Sequence, residues 1–373
     1  MFLISPCTWR KIDRRTLSFA FMAALICSFS SSYVIRAPFF NRASIAQGGE
    51  AGVRSCPVPR PFQAARRARQ AADGLGRWGA GGYNECRQVV MASGSEGDMS
   101  IEQANCIRRF MRVCSDGWQK GWHEANGGNL SYRMDGEDIA VCKPYLSVRT
   151  PWISVGVEAP GVGGELFIVT GAGKYMRKVE VDLSDNIGIV EMNAAGNAYR
   201  VVWGFDDSGR PTSEFETHLL IHEVCSKLSD GDDRVVYHAH TPNITALTTA
   251  FVLDSRVLSR VLWKSTSECI IAAPEGVGLL PFTQPASNEL AEKTAALMES
   301  FRAVAWAGHG VIACSQTFDD TFGLIDTLEK AAYIYIMARA MRGGEEAANL
   351  LSDDNLRTIC ASYGLEPNED FLS

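Results

Sequence analysis

The 373-residue sequence lacks several signatures that would assign a function at once. Its 11 cysteines are odd in number and include no Cys-x-x-Cys pair, which excludes a disulfide framework and a thiolate zinc site. We therefore expect most of them to be small buried residues in a reducing compartment. A nucleotide-binding Walker loop is also missing, because Ile168 and Tyr175 stand where that motif requires a glycine and a Ser or Thr.

Positive charge is scarce in most of the chain. Residues 1–98 contain 13 Arg and Lys against 6 Asp and Glu, whereas the chain from Met99 onward contains 23 against 37 and has a net charge of −14. Nucleic-acid binding needs a basic face, so the acidic part argues against it. An anionic substrate would have to be held by a few local donors.

Residues 1–98 differ in composition from the rest. A basic head at Arg10–Arg15 precedes an apolar run and then a stretch rich in arginine, alanine and glycine. This pattern is typical of a signal peptide, a membrane anchor or an organelle transit peptide, and a true start at Met91 or Met99 is a further interpretation. We expect this extension to be largely disordered, and we assign the folded domain to residues 99–373.

Histidine is also rare, with six in all. His238 and His240 stand at the end of a run rich in β-branched and aromatic residues, which predicts a buried strand. Alternation along a strand puts both imidazoles on one face, close enough to chelate a single cation. The alternative is a pair of hydrogen-bonded histidines in a half-buried strand.

A third ligand would favour the metal hypothesis, and His309 is the best candidate. It stands between Gly308 and Gly310, which let the backbone turn sharply and approach a ligand closely. Three neutral imidazoles would leave a divalent ion, zinc by preference, with an open position for substrate.

His218 and His222 form a competing pair, spaced like the ligands of zinc proteases on a helix that a capping box at Ser213 and Glu216 would open. Leu219 stands where those enzymes have a glutamate. We interpret this pair as mainly structural, with metal ligation as the alternative.

Hydrophobic periodicity predicts one α/β domain with a mixed or antiparallel sheet. Helices are expected at 99–125, from 213, at 242–253, 254–263, 317–341 and 353–362. Strands are expected at 130–133, 165–170, 186–193, 198–203, 234–239, 269–273, 277–280 and 304–314.

Two glycine-rich turns, at 126–131 and 170–174, could form concave nests of backbone N–H groups for an anion. Thr212 and Ser213 add hydroxyl groups at a helix N-terminus. Each turn taken alone is more often a helix cap or a hairpin. Together they favour a small phosphorylated metabolite over a polymer.

Several of these segments occur in the order and spacing of the class II sugar-phosphate aldolases, and the chain from Met99 to about Leu365 resembles this aldolase and adducin-like family. The matching segments are 118–130, 167–174, 211–214, 238–240, 262–269 and 309–311. The resemblance implies a three-layer α/β/α domain around a mostly antiparallel sheet, and a homotetramer with its active sites at subunit contacts.

The resemblance also implies roles for individual residues. His238, His240 and His309 would bind Zn²⁺, Glu214 would be the catalytic acid and base, and Glu268 would come from a neighbouring subunit. The residues that would hold the substrate phosphate are Asn126, Gly128, Asn129, Gly173, Thr212 and Ser213. One position departs from the family, because Ala172 stands where close relatives have a hydroxyl. Without the histidines, Glu214 would be an ordinary first-turn acid and Glu268 a solvated loop carboxylate.

The segment 321–330 favours the branch of the family that cleaves L-rhamnulose 1-phosphate into dihydroxyacetone phosphate and L-lactaldehyde. Another sugar-phosphate aldolase or a ribulose phosphate 4-epimerase is the alternative. An adducin-like interaction module is disfavoured by the intact histidine pair and Glu214. We expect a cytoplasmic enzyme whose domain binds neither nucleic acid nor a membrane, with targeting by residues 1–98 left open.

Overall fold

The computed structural model describes residues 100–372, so the expectations for residues 1–98 lie outside the described part of the chain. The strands in this range are β1 Asn129–Arg133, β2 Ile153–Ser154, β3 Leu166–Thr170, β4 Ile187–Met192, β5 Ala198–Gly204, β6 Val235–Ala239, β7 Gly278–Leu280, β8 Ala303–Trp306 and β9 Gly310–Ser315. The α-helices are α1 Asn105–Gln119, α2 Gly136–Cys142, α3 Leu183–Asn186, α4 Phe215–Leu228, α5 Pro242–Ala250, α6 Ser255–Ser265, α7 Ser267–Ala272, α8 Asn288–Met298, α9 Phe318–Met341 and α10 Asp353–Ser362.

All nine of these strands belong to one sheet, in the order β2-β5-β4-β3-β1-β6-β9-β8-β7. Every neighbouring pair is antiparallel except β7 with β8. The sheet is therefore mixed and mostly antiparallel, as predicted. At its centre the register pairs Asn129 of β1 with His238 of β6, which places a polar loop end beside the first candidate metal ligand.

Side chains on β6 alternate between two separate cores. Tyr237 belongs to a core that includes residues of α1, α6 and α9, whereas Val236 belongs to one that includes residues of α4 and α8. Successive strand residues point to opposite faces, so helices cover both sides of the sheet. The result is the three-layer α/β/α arrangement that the sequence predicted.

β1 departs from the usual pattern of a central strand. Leu130 and Tyr132 enter the core beneath α1 and α9, while the alternate residues Asn129, Ser131 and Arg133 are also buried although they are polar. A buried polar group is costly unless it is hydrogen-bonded. The side of β1 that faces α4 is therefore a buried polar layer whose side chains require hydrogen-bond partners.

Three local predictions were wrong. Residues 269–273 are not a strand, because this run is largely taken up by the short helix α7, and periodicity cannot separate a short apolar strand from a buried helix. The predicted strand 304–314 is two strands joined by a turn, in which Gly308 has a φ of +70°. Ser213 forms no capping box, since α4 begins at Phe215 and its N-cap is Glu214.

The first helix is also shorter than the predicted span 99–125. A 3-10 turn at Ile101–Gln103 precedes α1, and Gly121, with a φ of +76°, follows its end. The cysteines of residues 100–372 are all buried, as expected of small core residues. Among the helices of this range, none combines the length and apolar character needed to cross a bilayer.

Candidate active site

Three histidines from two distant parts of the chain converge at one end of the sheet. His238 lies in β6, His240 follows the last residue of that strand, and His309 lies in the turn between β8 and β9. The three ring centroids are 4.8 to 5.0 Å apart, and one nitrogen of each ring lies within 4.8 Å of the others. The structure thus brings together the trio that the sequence analysis selected.

The glycines on either side of His309 explain how its turn reaches β6. Gly308 adopts the left-handed conformation, which L-residues with a side chain rarely adopt. A Cβ atom on Gly310 would lie 2.4 Å from the carbonyl oxygen of Ala239, so only glycine permits this approach. The close contact is therefore with the backbone of β6.

Hydrogen bonds fix the tautomers of two of the rings. The Nδ1–H of His238 donates to the carbonyl oxygen of Val311 at 3.0 Å, and the Nδ1–H of His240 donates to Oε1 of Glu124 at 2.6 Å. Each ring then keeps a lone pair on Nε2. Nε2 of His238 is buried and has no hydrogen-bond partner in the described part of the chain. Metal-binding histidines are held in this way by partners on the other nitrogen.

Burial also keeps two of the three rings, those of His238 and His309, neutral. It lowers the pKa of His238 well below its usual value, and the neighbouring His240 and His309 add to the effect. Burial lowers the pKa of His309 to about 4. Three imidazole nitrogens within 4.8 Å of one another, one of them buried without a partner, fit a divalent cation that favours nitrogen ligands.

Glu214 lies beside the trio. Its Oε2 is 3.8 Å from Nε2 of His238 and accepts a hydrogen bond of 2.8 Å from Nδ2 of Asn129. Burial raises the pKa of Glu214, and the hydrogen bond from Asn129 opposes that shift. A buried carboxyl group with a raised pKa holds its proton more readily than an exposed one, which suits proton transfer.

The proposed phosphate residues come from three segments that Thr170 ties together. Thr170 Oγ1 accepts from the backbone N–H of Leu130 at 3.1 Å, and its carbonyl oxygen accepts from the backbone N–H of Thr212 at 2.8 Å. Asn129 and Thr212 are therefore held next to the same strand end. Of the six candidates, Asn129 and Thr212 are buried, Gly128 is half-buried, and the exposed ones are Asn126, Gly173 and Ser213.

Ala172 lies half-buried in the turn after β3. Its N–H donates to the carbonyl oxygen of Arg210 at 2.9 Å, so this amide serves to hold the turn against the segment before α4. The neighbouring Gly173 has a φ of +70°, and no atom lies within 4 Å of the position a Cβ would take there. The turn therefore has room on its outer side.

Glu268 does not join the other candidates within this chain. It is exposed and stands in the first turn of α7, not in a loop as expected. α7 packs with α6, α9 and α10, and Glu268 is not among the ligand groups that meet at the histidine trio. A role in the site of the same subunit is not supported by this position.

Two neighbouring residues take part in the site although the sequence analysis did not select them. Glu124 holds His240, and His123 donates from Nδ1 to the carbonyl oxygen of Gly127 at 3.1 Å and accepts at Nε2 from the hydroxyl of Tyr237 at 2.7 Å. Their position just before the Asn126 turn was the only available signal. Sequence spacing could not show which group each would contact.

His218 and His222 are not part of the trio. Both are fully buried, and both contact Ser131 of β1, with Oγ 2.6 Å from Nδ1 of His218 and 2.8 Å from Nε2 of His222. Their contacts are hydrogen bonds to strand residues, in keeping with the structural interpretation.

Comparison with known proteins gives a consistent result. Residues 108–336 match the family model described as the class II aldolase and adducin N-terminal domain. The chain is 36% identical over 268 residues to a protein named rhamnulose-1-phosphate aldolase from Shigella boydii, covering 72% of this chain and 97% of that one. A protein of the same name from an Enterobacter strain is 35% identical over 273 residues, with 73% and 98% covered.

Solved structures show the same relationship. The crystal structure of a sugar-phosphate aldolase from Thermotoga maritima has a TM-score of 0.54 and 30% identity, covering 64% of this chain and 96% of that chain. A putative aldolase/epimerase/decarboxylase from Escherichia coli has a TM-score of 0.51 at 18% identity, covering 70% of this chain and 99% of that chain, which is a likeness of fold alone.

Proposed function

Since the chain belongs to the class II aldolase and adducin family, we propose that it is a lyase that cleaves L-rhamnulose 1-phosphate into dihydroxyacetone phosphate and L-lactaldehyde. Such an enzyme acts in rhamnose catabolism. The likeness to the aldolases of that name extends over nearly their whole length, which supports the activity of a complete domain.

The observation that carries the proposal is the histidine trio beside a buried carboxyl group. His238, His240 and His309 meet within 4.8 Å, and Glu214 lies 3.8 Å from the first of them. An interaction module has no use for a buried lone pair next to a buried acid, since both lower the stability of the fold. The arrangement therefore supports an enzyme over an adducin-like module.

We infer that the three histidines hold Zn²⁺. The neutral rings of His238 and His309 and the unpartnered Nε2 of His238 suit this ion, and three protein ligands leave a position open for substrate. When bound, the ion would supply Lewis-acid stabilisation of the negative charge that develops on the substrate oxygens. Glu124 would orient His240 from behind through its hydrogen bond.

Glu214 would carry the proton of the reaction. In cleavage, the bond between C3 and C4 breaks and its electron pair stays with C3, while the C4 hydroxyl would pass its proton to the carboxylate of Glu268 from a neighbouring subunit as the aldehyde forms. Glu214 then gives its proton to C3, which becomes the hydroxymethyl carbon of dihydroxyacetone phosphate. In the synthetic direction it takes that proton back. Asn129, which donates to Oε2, would hold the carboxyl group in place.

The substrate phosphate would lie against the turns joined at Thr170. Asn126, Gly128, Asn129 and Gly173 would contribute amide donors there. Thr212 and Ser213 would add hydroxyl groups beside the positive end of the α4 dipole. These donors act locally, which suits a domain whose overall charge repels anions.

Glu268 would act across a subunit contact. Since it is exposed and is not part of the histidine cluster of its own chain, we infer that it reaches the site of a neighbouring subunit in a homotetramer. There it would hydrogen-bond or protonate the lactaldehyde oxygen. The substrate pathway and the buried cysteines suit a cytoplasmic enzyme.

A coupled assay for dihydroxyacetone phosphate release from several ketose 1-phosphates tests the proposed activity. Release should be fastest from L-rhamnulose 1-phosphate, and the second product should be L-lactaldehyde. A 4-epimerase would instead return an isomeric sugar phosphate and no aldehyde. If no aldehyde were released from any ketose 1-phosphate, the proposed aldolase activity would be refuted.

Two variants test the residues. Glu214→Gln keeps the size of the side chain and an oxygen for Asn129, so metal and fold should be retained while kcat falls by about 10² to 10⁴-fold. His238→Ala should lose stoichiometric zinc, measured by elemental analysis of the purified protein. Near-normal cleavage by Glu214→Gln would remove it as the proton carrier.

A further inference from the structure

An unbroken row of hydrogen bonds runs from the interior of α4 to the carboxyl group of Glu214. It passes through the polar side of β1 and links His222, Ser131, His218, Asn129 and Glu214 in that order. The successive separations are 2.8 Å, 2.6 Å, 2.5 Å and 2.8 Å. All five residues are at most 6% exposed, so these bonds lie in the interior of the protein.

The chemistry of the groups sets the direction of every bond. An ionised Glu214 can only accept, so Asn129 must present its NH₂ group to it and its Oδ1 to His218. Oδ1 can only accept, so His218 must carry its hydrogen on Nε2. Burial lowers the pKa of His218 to about 3, so the ring is neutral and its Nδ1 is an acceptor.

The remaining two bonds follow from that acceptor. The hydroxyl of Ser131 must donate to Nδ1 of His218, which leaves its oxygen to accept from Nε2–H of His222. His222 then has a bare lone pair on Nδ1. That atom is buried and has no hydrogen-bond partner among residues 100–372, as this assignment requires. All four donors thus point toward Glu214.

We propose that His218 is a positioning residue that fixes the carboxamide of Asn129 in the orientation that donates to Glu214. This rests on the proposed function, because it concerns the group that carries the proton. The two orientations of an amide have nearly the same shape, so packing does not choose between them. The carboxylate of Glu214 and the donor on His218 both select this orientation, and His218 holds the amide from the side opposite to the carboxylate. The reversed amide would turn its oxygen toward the carboxylate, which would displace Glu214 from its place beside His238.

Paired substitutions at residue 218 test the consequence. His218→Gln can still donate from an amide nitrogen to Asn129, whereas His218→Met fills similar space without a donor. We expect His218→Met to lower kcat by about 10²-fold, the usual cost of misplacing a catalytic group by about 1 Å, while KM and zinc content change little. His218→Gln should recover most of the loss.

Leu219→Ala is the matched control for damage to the fold. Leu219 is fully buried on the same helix and has no polar side-chain atom. The Leu219→Ala variant should unfold at a lower temperature than His218→Met and still keep a kcat near that of the wild type.

The exchange of the C3 hydrogen of dihydroxyacetone phosphate with solvent deuterium reports on proton transfer alone when it is measured without aldehyde. The rate of this exchange should fall in His218→Met by the same factor as kcat.

Several outcomes would overturn the proposal. These are a normal kcat in His218→Met, an equal loss in His218→Gln, and a loss in Leu219→Ala as large as that in His218→Met. A neutron structure gives a test that needs no activity, since it must show hydrogen on Nε2 and not on Nδ1 of His218. If the wild type released no dihydroxyacetone phosphate, the proposed function would fail, and the neutron map would still decide the order of donors.

Discussion

Alanine substitutions at Gly128 and Gly121 allow the role of His123 to be measured as a difference in the free energy of unfolding. Both have a positive φ, +73° and +76°, but their surroundings differ. A Cβ on Gly128 would lie 2.3 Å from Nδ1 of His123 and 2.9 Å from the carbonyl oxygen of His238, whereas no atom lies within 4 Å of a Cβ on Gly121. Alanine therefore costs the same backbone strain at both positions, because both require a positive φ. Only at position 128 does it add the cost of a steric clash.

The magnitudes follow from these contacts. The left-handed conformation costs an L-residue about 1 to 2 kcal/mol, which is the whole expected effect of Gly121→Ala. In Gly128→Ala the ring of His123 must also move, which breaks its bonds to Gly127 and Tyr237. Each broken bond leaves a buried polar group unsatisfied at a cost of about 1 to 3 kcal/mol. Gly128→Ala should thus cost about 3 to 8 kcal/mol.

Urea unfolding of the two variants and the wild type is the assay, and kcat/KM for the ketose 1-phosphate is the second readout. Gly128→Ala should unfold at lower urea and lose activity, because it displaces the turn that carries Asn129. The double variant with His123→Ala removes the clash with the ring but keeps the 2.9 Å approach to the carbonyl oxygen of His238, so it should recover part of the loss and show a coupling energy of opposite sign. Equal destabilisation by the two alanines would refute the idea that His123 holds this turn.

The other predictions concern acid stability, substrate affinity and one helix cap. Burial lowers the pKa of His123 to about 4 and that of His218 to about 3, so between these values and pH 6.5 the rings take up protons only when the protein unfolds. Their contribution to the free energy of unfolding is therefore fully present above pH 6.5 and is lost as the pH falls toward the folded-state pKa. Each should reduce the unfolding free energy by about 2 kcal/mol between pH 7 and pH 5, and His123→Gln should flatten that slope in urea titrations. Ala172→Ser should lower KM for the substrate and leave kcat unchanged, measured by steady-state kinetics; a higher KM would contradict a hydroxyl role there. Asp254→Ala removes the acceptor for the N–H of Val257 at 2.7 Å and should destabilise the protein by about 1 kcal/mol in thermal unfolding, with activity intact.

Local patterns in the sequence predicted much of the fold because they report local physics. Alternation placed His238 and His240 on one side of a strand, and the glycines around His309 marked a turn. The same local information failed at 269–273, where a short apolar run fits a helix and a strand equally well. It also failed at Ser213, since the choice of N-cap depends on how the chain enters α4 from the β-bridge that Pro211 forms with Gly171.

The polar side of β1 illustrates what local patterns cannot give. Asn129 and Ser131 read as ordinary polar residues at the end of a glycine turn. Their partners, Glu214 and His218, stand more than 80 residues away in sequence. Hydrogen bonding of that kind is specified only when the strand and the helix are packed together.

The sequence by itself determined the secondary structure around the site and the residue types that a metal and a proton carrier require, because these depend on neighbours within a few positions. Tertiary structure alone decided that His309 meets His238, since the register of β6 with β9 sets that distance. It also decided which way Asn129 faces, because the donor that orients it comes from another layer of the fold.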